Sequence, residues 1–289
     1  MKHLYFIFSL LLLISCNSKQ VDEKLISVTI EPQRFFAEKI AGDKFKIHSV
    51  VPVGQSPETY DPTPQQMIQI GKSIAYLQIG YIGFEQAWIG SIKENNPELT
   101  FFDLSEGMEL LTEDEDTHSH ENCDGHHHHG GVDPHIWSSI NGAKTIAWNT
   151  LNAFISLDKE NTAYYWQNYH QLMIEIEDVE KTITLLLTPL TNRTFIIYHP
   201  ALTYFAHEFG LTQLCIELDG KEPSPAQLKQ LVDVAKQYQS KIVFIQQEFD
   251  QKNAELIAKE TNCRLVSINP LDYHWNKEMI HITKALSNE

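Results

Sequence analysis

The stretch FKIHSVVPVGQSPETYDPTPQQ, residues 45–66, holds a strand, a loop and the start of a helix in that order. Residues 45–51 are rich in Val, Ile and Phe, as expected of a short buried strand. Residues 52–63 are rich in proline and polar residues, and Pro64 suits the first turn of a helix. The stretch therefore predicts one strand–helix unit of an α/β fold.

The same alternation of strand and helix runs through both halves of the chain. It predicts an α/β protein of two lobes, each with a small parallel sheet that is covered by helices. The further predicted strands are residues 25–30, 74–79 and 100–104 in the first half and 194–198, 212–217, 241–246 and 264–268 in the second.

A long apolar-periodic segment separates the two halves. Residues 159–190 are predicted to form a rigid inter-lobe helix, about 40 Å long, with Asp158 as its N-cap. The N-terminal lobe would then comprise residues 25–158 and the C-terminal lobe residues 191–289. A helix of this length predicts a stiff connection and small lobe motion.

The N-terminus has the pattern of an export signal. An apolar run at residues 4–14 follows Lys2, and it is too short to span a bilayer, which takes about 20 residues. The sequence LISC at residues 13–16 is similar to a bacterial lipobox. It predicts a lipoprotein signal peptide at residues 1–15, lipidation of Cys16 and a tether at residues 16–24. The expected location is the periplasmic face of the membrane or the cell surface.

The charge of the chain limits its possible binding partners. The chain has 38 Asp and Glu against 22 Lys and Arg, a formal charge of −16, which argues against binding to nucleic acid.

The cysteines leave the question of a disulfide open. In an exported protein, Cys215 and Cys263 could form a disulfide or stay as two buried thiols, and their spacing does not decide between these alternatives.

Residues 112–131 interrupt the alternation with an acidic run, a histidine-rich run and two glycines. The segment has no apolar periodicity and predicts a flexible insertion. Its histidines are candidates for weak accessory metal binding: His118, His120, His126, His127, His128 and His129.

Ligand-type residues follow predicted strands or the insertion at three places. Glu58 and Asp61 lie in the loop after residues 45–51, His135 follows the insertion, and His199 follows residues 194–198 directly. Ligands of parallel α/β sheets bind at the carboxyl ends of the strands.

Several blocks of the chain resemble the metal-binding solute-binding proteins of zinc and manganese ABC transporters. The resemblance covers essentially the whole mature chain, and VDPHIW beside a histidine-rich insertion is its most specific part. The matching blocks are VPVGQSPETYDPTP (51–64), VDPHIW (132–137), IIYHPALTYFAHEFGL (196–211), KEPSPAQL (221–228) and INPLD (268–272).

The resemblance implies a metal ion clamped in the cleft between two lobes, with His135 and His199 as two of its ligands. The sequence departs from the family at two places. Glu58 stands where zinc-type members carry histidine, and Asn269 stands where a late carboxylate is usual. The implied set of two imidazoles and a carboxylate suits Zn²⁺ better than calcium or magnesium, whereas Mn²⁺ stays open as an alternative. The fourth ligand is therefore open, and the candidates are Glu248, Asp272 and His274.

The function that the resemblance implies is capture of a divalent metal ion, zinc first, and delivery to an ABC-transporter permease. The chain would act as a lipid-anchored monomer and not as an enzyme. Three alternatives stay open: a manganese-specific protein of the same family, a zinc-dependent hydrolase, and a surface adhesin on the same scaffold. Absence of an H-E-x-x-H motif argues against the hydrolase.

Overall fold

The structure is a computed structural model that describes residues 24–112, 131–217 and 223–287. The predicted signal peptide, Cys16 and all six histidines of the insertion lie outside the described residues. Within the three described ranges, no helix is both long and apolar enough to cross a membrane.

The N-terminal lobe is built on a parallel sheet of four strands in the order β2-β1-β3-β4. Three helices connect these strands, and Thr63 caps the second of them through a hydrogen bond from the Gln66 backbone N–H. In chain order the elements are β1 (Leu25–Val28), α1 (Glu31–Ala41), β2 (Lys46–Ser49), α2 (Pro64–Ile70), β3 (Ala75–Gln78), α3 (Gly83–Asn95) and β4 (Thr100–Asp103).

The C-terminal lobe repeats this plan with a parallel sheet in the order β6-β5-β7-β8. Both sheets thus have their carboxyl ends available for loops that bind a ligand. The elements are β5 (Thr194–Ile197), α6 (Thr203–Phe209), β6 (Thr212–Cys215), α7 (Pro225–Gln237), β7 (Ile242–Gln246), α8 (Gln251–Thr261), β8 (Arg264–Ile268) and α9 (Trp275–Ser287).

Two consecutive helices connect the lobes, α4 (Ile140–Leu157) and the long α5 (Thr162–Leu187). The predicted fold class is confirmed: two small parallel sheets with a long helix between them. The start of the long helix differs from the prediction, because Asp158 ends α4 and provides no side-chain cap for α5. Its carboxylate instead accepts hydrogen bonds from Asn161 and Tyr165 across the turn between the helices.

The two lobes share one apolar core. Trp275, at the start of α9, is buried against Phe35 and Phe36 of α1, with a ring separation of 5.2 Å to Phe36. The Trp275 indole N–H donates to the carbonyl of Trp137, which lies on the segment that enters α4. Residues of both lobes are therefore buried together in this core, while the stiffness of the connection stays a prediction.

Cys215 and Cys263 are both free thiols in the structure. Cys215 ends β6, whereas Cys263 immediately precedes β8, at the opposite edge of the sheet. Three strand spacings of about 4.8 Å separate these edges, which exceeds the Cα separation of about 7 Å that a disulfide tolerates. The sheet order therefore favours the free-thiol alternative.

Candidate metal centre

Glu58, His135 and His199 line one cavity between the lobes. Glu58 lies in the loop between β2 and α2, and His199 lies two residues beyond the end of β5. His135 immediately precedes a single 3-10 turn, Ile136–Ser138, that leads into α4. The strand-end arrangement that the sequence predicts thus brings all three side chains to the same place.

The two histidines face each other with their Nε2 atoms 3.3 Å apart. Two nitrogen ligands at 2.0–2.1 Å from a tetrahedral zinc ion would be separated by about 3.3–3.4 Å. Lone pairs on two neutral imidazoles at this distance repel each other unless a cation or a proton lies between them. The observed separation of the two Nε2 atoms therefore fits a tetrahedral zinc ion.

Each imidazole ring is oriented by a carboxylate that accepts a hydrogen bond from its Nδ1 atom. Asp133 accepts from His135 Nδ1 at 2.9 Å, and Glu217 accepts from His199 Nδ1 at 3.0 Å. Because a carboxylate is an acceptor only, each Nδ1 carries the proton, and each Nε2 has a lone pair that is able to bind a metal ion. Both carboxylates are buried, so their hydrogen bonds are shielded from competing water.

Asp133 is suited to this orienting role because it stays ionised. Burial tends to raise the pKa of its carboxyl, but electrostatic attraction by the His135 ring and the hydrogen bonds from that residue hold the pKa below its ordinary value. Asp133 Oδ1 also accepts from the His135 backbone N–H at 2.7 Å, so one oxygen fixes both the backbone and the ring.

Replacement of Asp133 by Asn, or of Glu217 by Gln, is expected to weaken zinc binding by about 10- to 100-fold. Each change replaces a charged group that can only accept by a neutral amide that can also donate, so the histidine tautomer is no longer fixed, while the volume of the side chain is kept. Competition titration with a zinc-chelating dye measures the effect. Asp178→Asn, an exposed position on α5, is the control. Wild-type affinity in both orienting variants would contradict this role.

Gln246 and Phe249 hold His199 from the side of β7. The buried Gln246 amide donates to the His199 carbonyl at 2.7 Å and accepts from the His199 N–H at 3.4 Å. The ring of Phe249 stacks on the His199 imidazole at 5.1 Å. Backbone and ring are thus both fixed before a metal ion arrives.

Glu58 is held by the N-terminus of α3. Its Oε2 accepts from the Gly83 N–H at 3.0 Å, and the carbonyl of Pro57 accepts from the Phe84 N–H at 2.8 Å. The positive end of the helix dipole favours the charged carboxylate. Within the described part of the chain, Glu58 Oε1 is buried and has no hydrogen-bond partner, as expected of an oxygen that coordinates a cation.

Gly83 permits this close approach of Glu58. A Cβ atom at position 83 would lie 2.8 Å from the Glu58 Cα, so any side chain would displace the loop. Gly83→Ala is expected to weaken zinc binding by about tenfold or more, because Glu58 loses both its position and its helix-terminal donor. Titration calorimetry measures the loss of affinity.

The matched control is Gly90→Ala in the same helix, where an added Cβ meets nothing within 4 Å. This variant should bind zinc like the wild type. Equal affinities of the Gly83→Ala and Gly90→Ala variants would show that the Glu58 loop is not positioned by α3.

Among the three candidates for the fourth ligand, Glu248 lines the cavity. Its Oε1, like that of Glu58, is buried without a hydrogen-bond partner among the described residues. Asp272 and His274 do not line this cavity, and Asp272 accepts from the His274 backbone N–H at 2.6 Å to form a local turn. The Asn269 amide oxygen is likewise taken by the Leu271 N–H.

The carboxylates do not yet converge on the histidines. In the described ranges, no group of three or more His, Cys, Asp or Glu side chains is already placed to hold a metal ion. The structure thus has two preassembled imidazoles and two carboxylates in the wall of the same cavity.

Sequence reasoning found the facing histidines but missed Asp133, Glu217 and Gln246, which orient them. Asp133 could have been recognised, since an acid two residues before a ligand histidine can reach the ring of that histidine. Glu217 lies two residues beyond β6 and Gln246 ends β7, and only the strand order β6-β5-β7 places these two strands on either side of the strand that precedes His199.

A family model for the periplasmic component A of the zinc-uptake complex, ZnuA, matches residues 26–288 of this chain. The high-affinity zinc uptake system protein ZnuA of Bacillus subtilis is 26% identical over 262 residues, which cover 89% of this chain and 81% of that protein. The manganese ABC transporter substrate-binding lipoprotein PsaA of Streptococcus anginosus is 25% identical over 268 residues, with 88% and 84% covered.

Solved structures show the same architecture. A crystal structure of ZnuA superimposes with a TM-score of 0.84 at 33% identity, covering 92% of this chain and 98% of that one. A ZnuA mutant with residues 138–173 of its own chain deleted and zinc bound superimposes with a TM-score of 0.82, also at 33% identity, with 92% and 97% covered.

Proposed function

We propose that this chain, which belongs to the ZnuA family of periplasmic zinc-uptake components, captures a zinc ion between its lobes and delivers it to an ABC-transporter permease. Glu58, His135 and His199 are the proposed ligands, and Glu248 is the proposed fourth. The imported substrate is a divalent metal ion, and we propose that this ion is zinc. Proteins of this family are substrate-binding components, so the prediction that the chain is not an enzyme is confirmed and the hydrolase alternative is wrong.

The observation that carries the zinc assignment is the 3.3 Å separation of the two Nε2 atoms, which fits tetrahedral zinc. Two imidazoles also place the site among those that favour zinc over calcium and magnesium. The manganese alternative rests on a different observation: two of the four donors in the cavity wall are carboxylates, which suit Mn²⁺, and PsaA is a manganese protein by name.

The proposal includes attachment to the membrane through lipidated Cys16 and a monomeric chain in the periplasm or on the cell surface. Several relatives are lipoproteins by name. A lipid anchor would keep the protein near the permease. The histidines of the insertion are proposed to bind further ions weakly and to raise the zinc concentration near the cleft.

Uptake of radioactive zinc by cells that lack the gene tests the function. Uptake from chelator-buffered medium should fall, the wild-type gene should restore it, and a His199→Ala gene should not. Manganese uptake, measured in parallel, should be unchanged. A loss of manganese uptake with normal zinc uptake would assign the protein to manganese, and normal uptake of both ions would refute an import function.

A further inference from the structure

An aromatic patch lies on the outer side of the α4–α5 hairpin and takes no part in the metal centre. The patch comprises Trp148 of α4 and Trp166, Tyr169 and His170 of α5. The Trp148 ring lies 5.9 Å from Trp166 and 6.1 Å from Tyr169, and Trp166 lies 5.6 Å from His170. Trp148 is 44% exposed, and it is the one exposed tryptophan of the described ranges.

The exposed surface continues along the outward face of α5. Ile174, one helical turn beyond His170, is 52% exposed. Tryptophan and tyrosine rings have an apolar body and a polar edge, so a surface of this composition suits a boundary between apolar and aqueous phases. The same residue types are enriched at the interfaces of membranes.

The patch lies close to the point where the chain enters the fold. Lys24, the first described residue, is 3.6 Å from Asp158, in the turn between α4 and α5. Asp158 in turn accepts from the hydroxyl of Tyr165, the neighbour of Trp166. Trp148 lies ten residues before Asp158 and Tyr169 eleven residues after it, so both are about 15 Å from the turn along antiparallel helices.

The proposed tether is too short to let this end of the fold move far from a membrane. Eight residues follow Cys16 up to Lys24, and they span at most about 29 Å when fully extended. If Cys16 carries lipid, as the proposed function includes, the entry point of the chain stays within that distance of the bilayer. The aromatic patch, about 15 Å from the turn beside Lys24, is then within reach of the bilayer.

The charges at the entry point are of both signs, although the chain as a whole carries −16. Lys24 pairs with Asp158 and Lys44 pairs with Asp43, so lysines lie beside acids at this end of the fold. Anionic headgroups attract exposed lysines and repel exposed acids, so the aromatic residues, and not a net positive charge, carry the proposed contact.

We propose that the aromatic patch is a membrane-contact surface, which rests on the headgroup region of the bilayer that holds the lipid anchor. β1 begins at this end of the N-terminal lobe, and the metal cavity lies at the carboxyl ends of the strands. None of the patch residues lines that cavity, so a protein that rests on the patch keeps its metal cavity clear of the contact.

Quenching of tryptophan fluorescence by brominated phospholipid tests the contact. The lipidated full chain is reconstituted on vesicles of phosphatidylethanolamine and phosphatidylglycerol, with or without brominated acyl chains. Bromine should quench part of the wild-type emission. In the double variant Trp148→Phe/Trp166→Phe, the quenched part should fall by about threefold or more, since the interfacial fluorophores are gone. Trp88→Phe, a substitution on α3, is the control, and its quenched part should equal that of the wild type.

Three other outcomes of these experiments would each refute a different part of the proposal. Vesicle flotation without bromine quenching would confirm the anchor and refute the contact surface. Failure of the protein to float would refute the lipid anchor and with it this surface, while the zinc affinity of the cleft would be untouched. Dimers in detergent solution that Trp148→Ser disrupts would assign the patch to a second copy of the chain and refute the membrane contact.

Discussion

Replacement of His199 by alanine is expected to lower the affinity for zinc by at least about a hundredfold, which corresponds to about 2.7 kcal/mol of binding free energy. The change removes one of two imidazoles whose Nε2 atoms already face each other at 3.3 Å. It also leaves the buried Glu217 without its hydrogen-bond donor. His135→Ala should cause a loss of similar size, because Asp133 and Trp137 fix that ring in the same way.

Competition with a chelator of known zinc affinity measures this loss. His207→Ala is the control, since His207 is an exposed histidine of α6 in the same lobe. Thermal unfolding of each metal-free variant separates loss of the site from loss of the fold. Unchanged affinity in both the His135 and His199 variants would refute the proposed site.

Replacement of Glu58 is expected to change both the affinity and the selectivity of the site. Glu58→Ala should weaken zinc binding by about 10- to 100-fold, since it removes a charged ligand that the N-terminus of α3 holds in place. Glu58→Gln keeps an acceptor for the Gly83 N–H but loses the charge, so it isolates the contribution of the charge.

Glu58→His restores the ligand type that the family usually has at this position. Three imidazoles favour zinc over manganese more strongly than two, so the ratio of the two affinities should rise by about tenfold. Asp61→Ala, at an exposed acid in the same loop, should change neither affinity. Calorimetric titration with both ions measures the ratio. An unchanged ratio in the Glu58→His variant would show that Glu58 is not a ligand.

The fold could be predicted almost completely because its signal is periodic and local. The alternation of short apolar runs with helical segments specifies parallel sheets, and the matched blocks fix their boundaries to within a few residues. The prediction erred at Asp158, where a good capping residue lies beside a helix. The 3-10 turn at Lys159–Asn161 delays the helix, and the Asp158 carboxylate bonds instead to Asn161 and Tyr165.

The site was predictable only in part, because the fourth ligand depends on where loops turn. Asp272 and His274 were candidates since they follow Asn269 closely in sequence. The chain forms a local turn at these residues, in which the Asp272 carboxylate accepts a hydrogen bond from the His274 backbone N–H. Glu248, far from Asn269 in sequence, reaches the cavity because the loop after β7 passes beside His199. No local pattern of residues encodes that proximity.

The most direct test of the account is calorimetric titration of zinc and manganese into the chain with residues 113–130 replaced by a short Gly-Ser linker. Thr112 and Val132 pair across the base of this insertion, so the replacement leaves the cavity intact. We expect one zinc ion to bind per chain, with the same affinity as in the full chain. Its affinity should also exceed that of manganese. Loss of tight zinc binding, or tighter binding of manganese, would contradict a zinc site built from Glu58, His135 and His199.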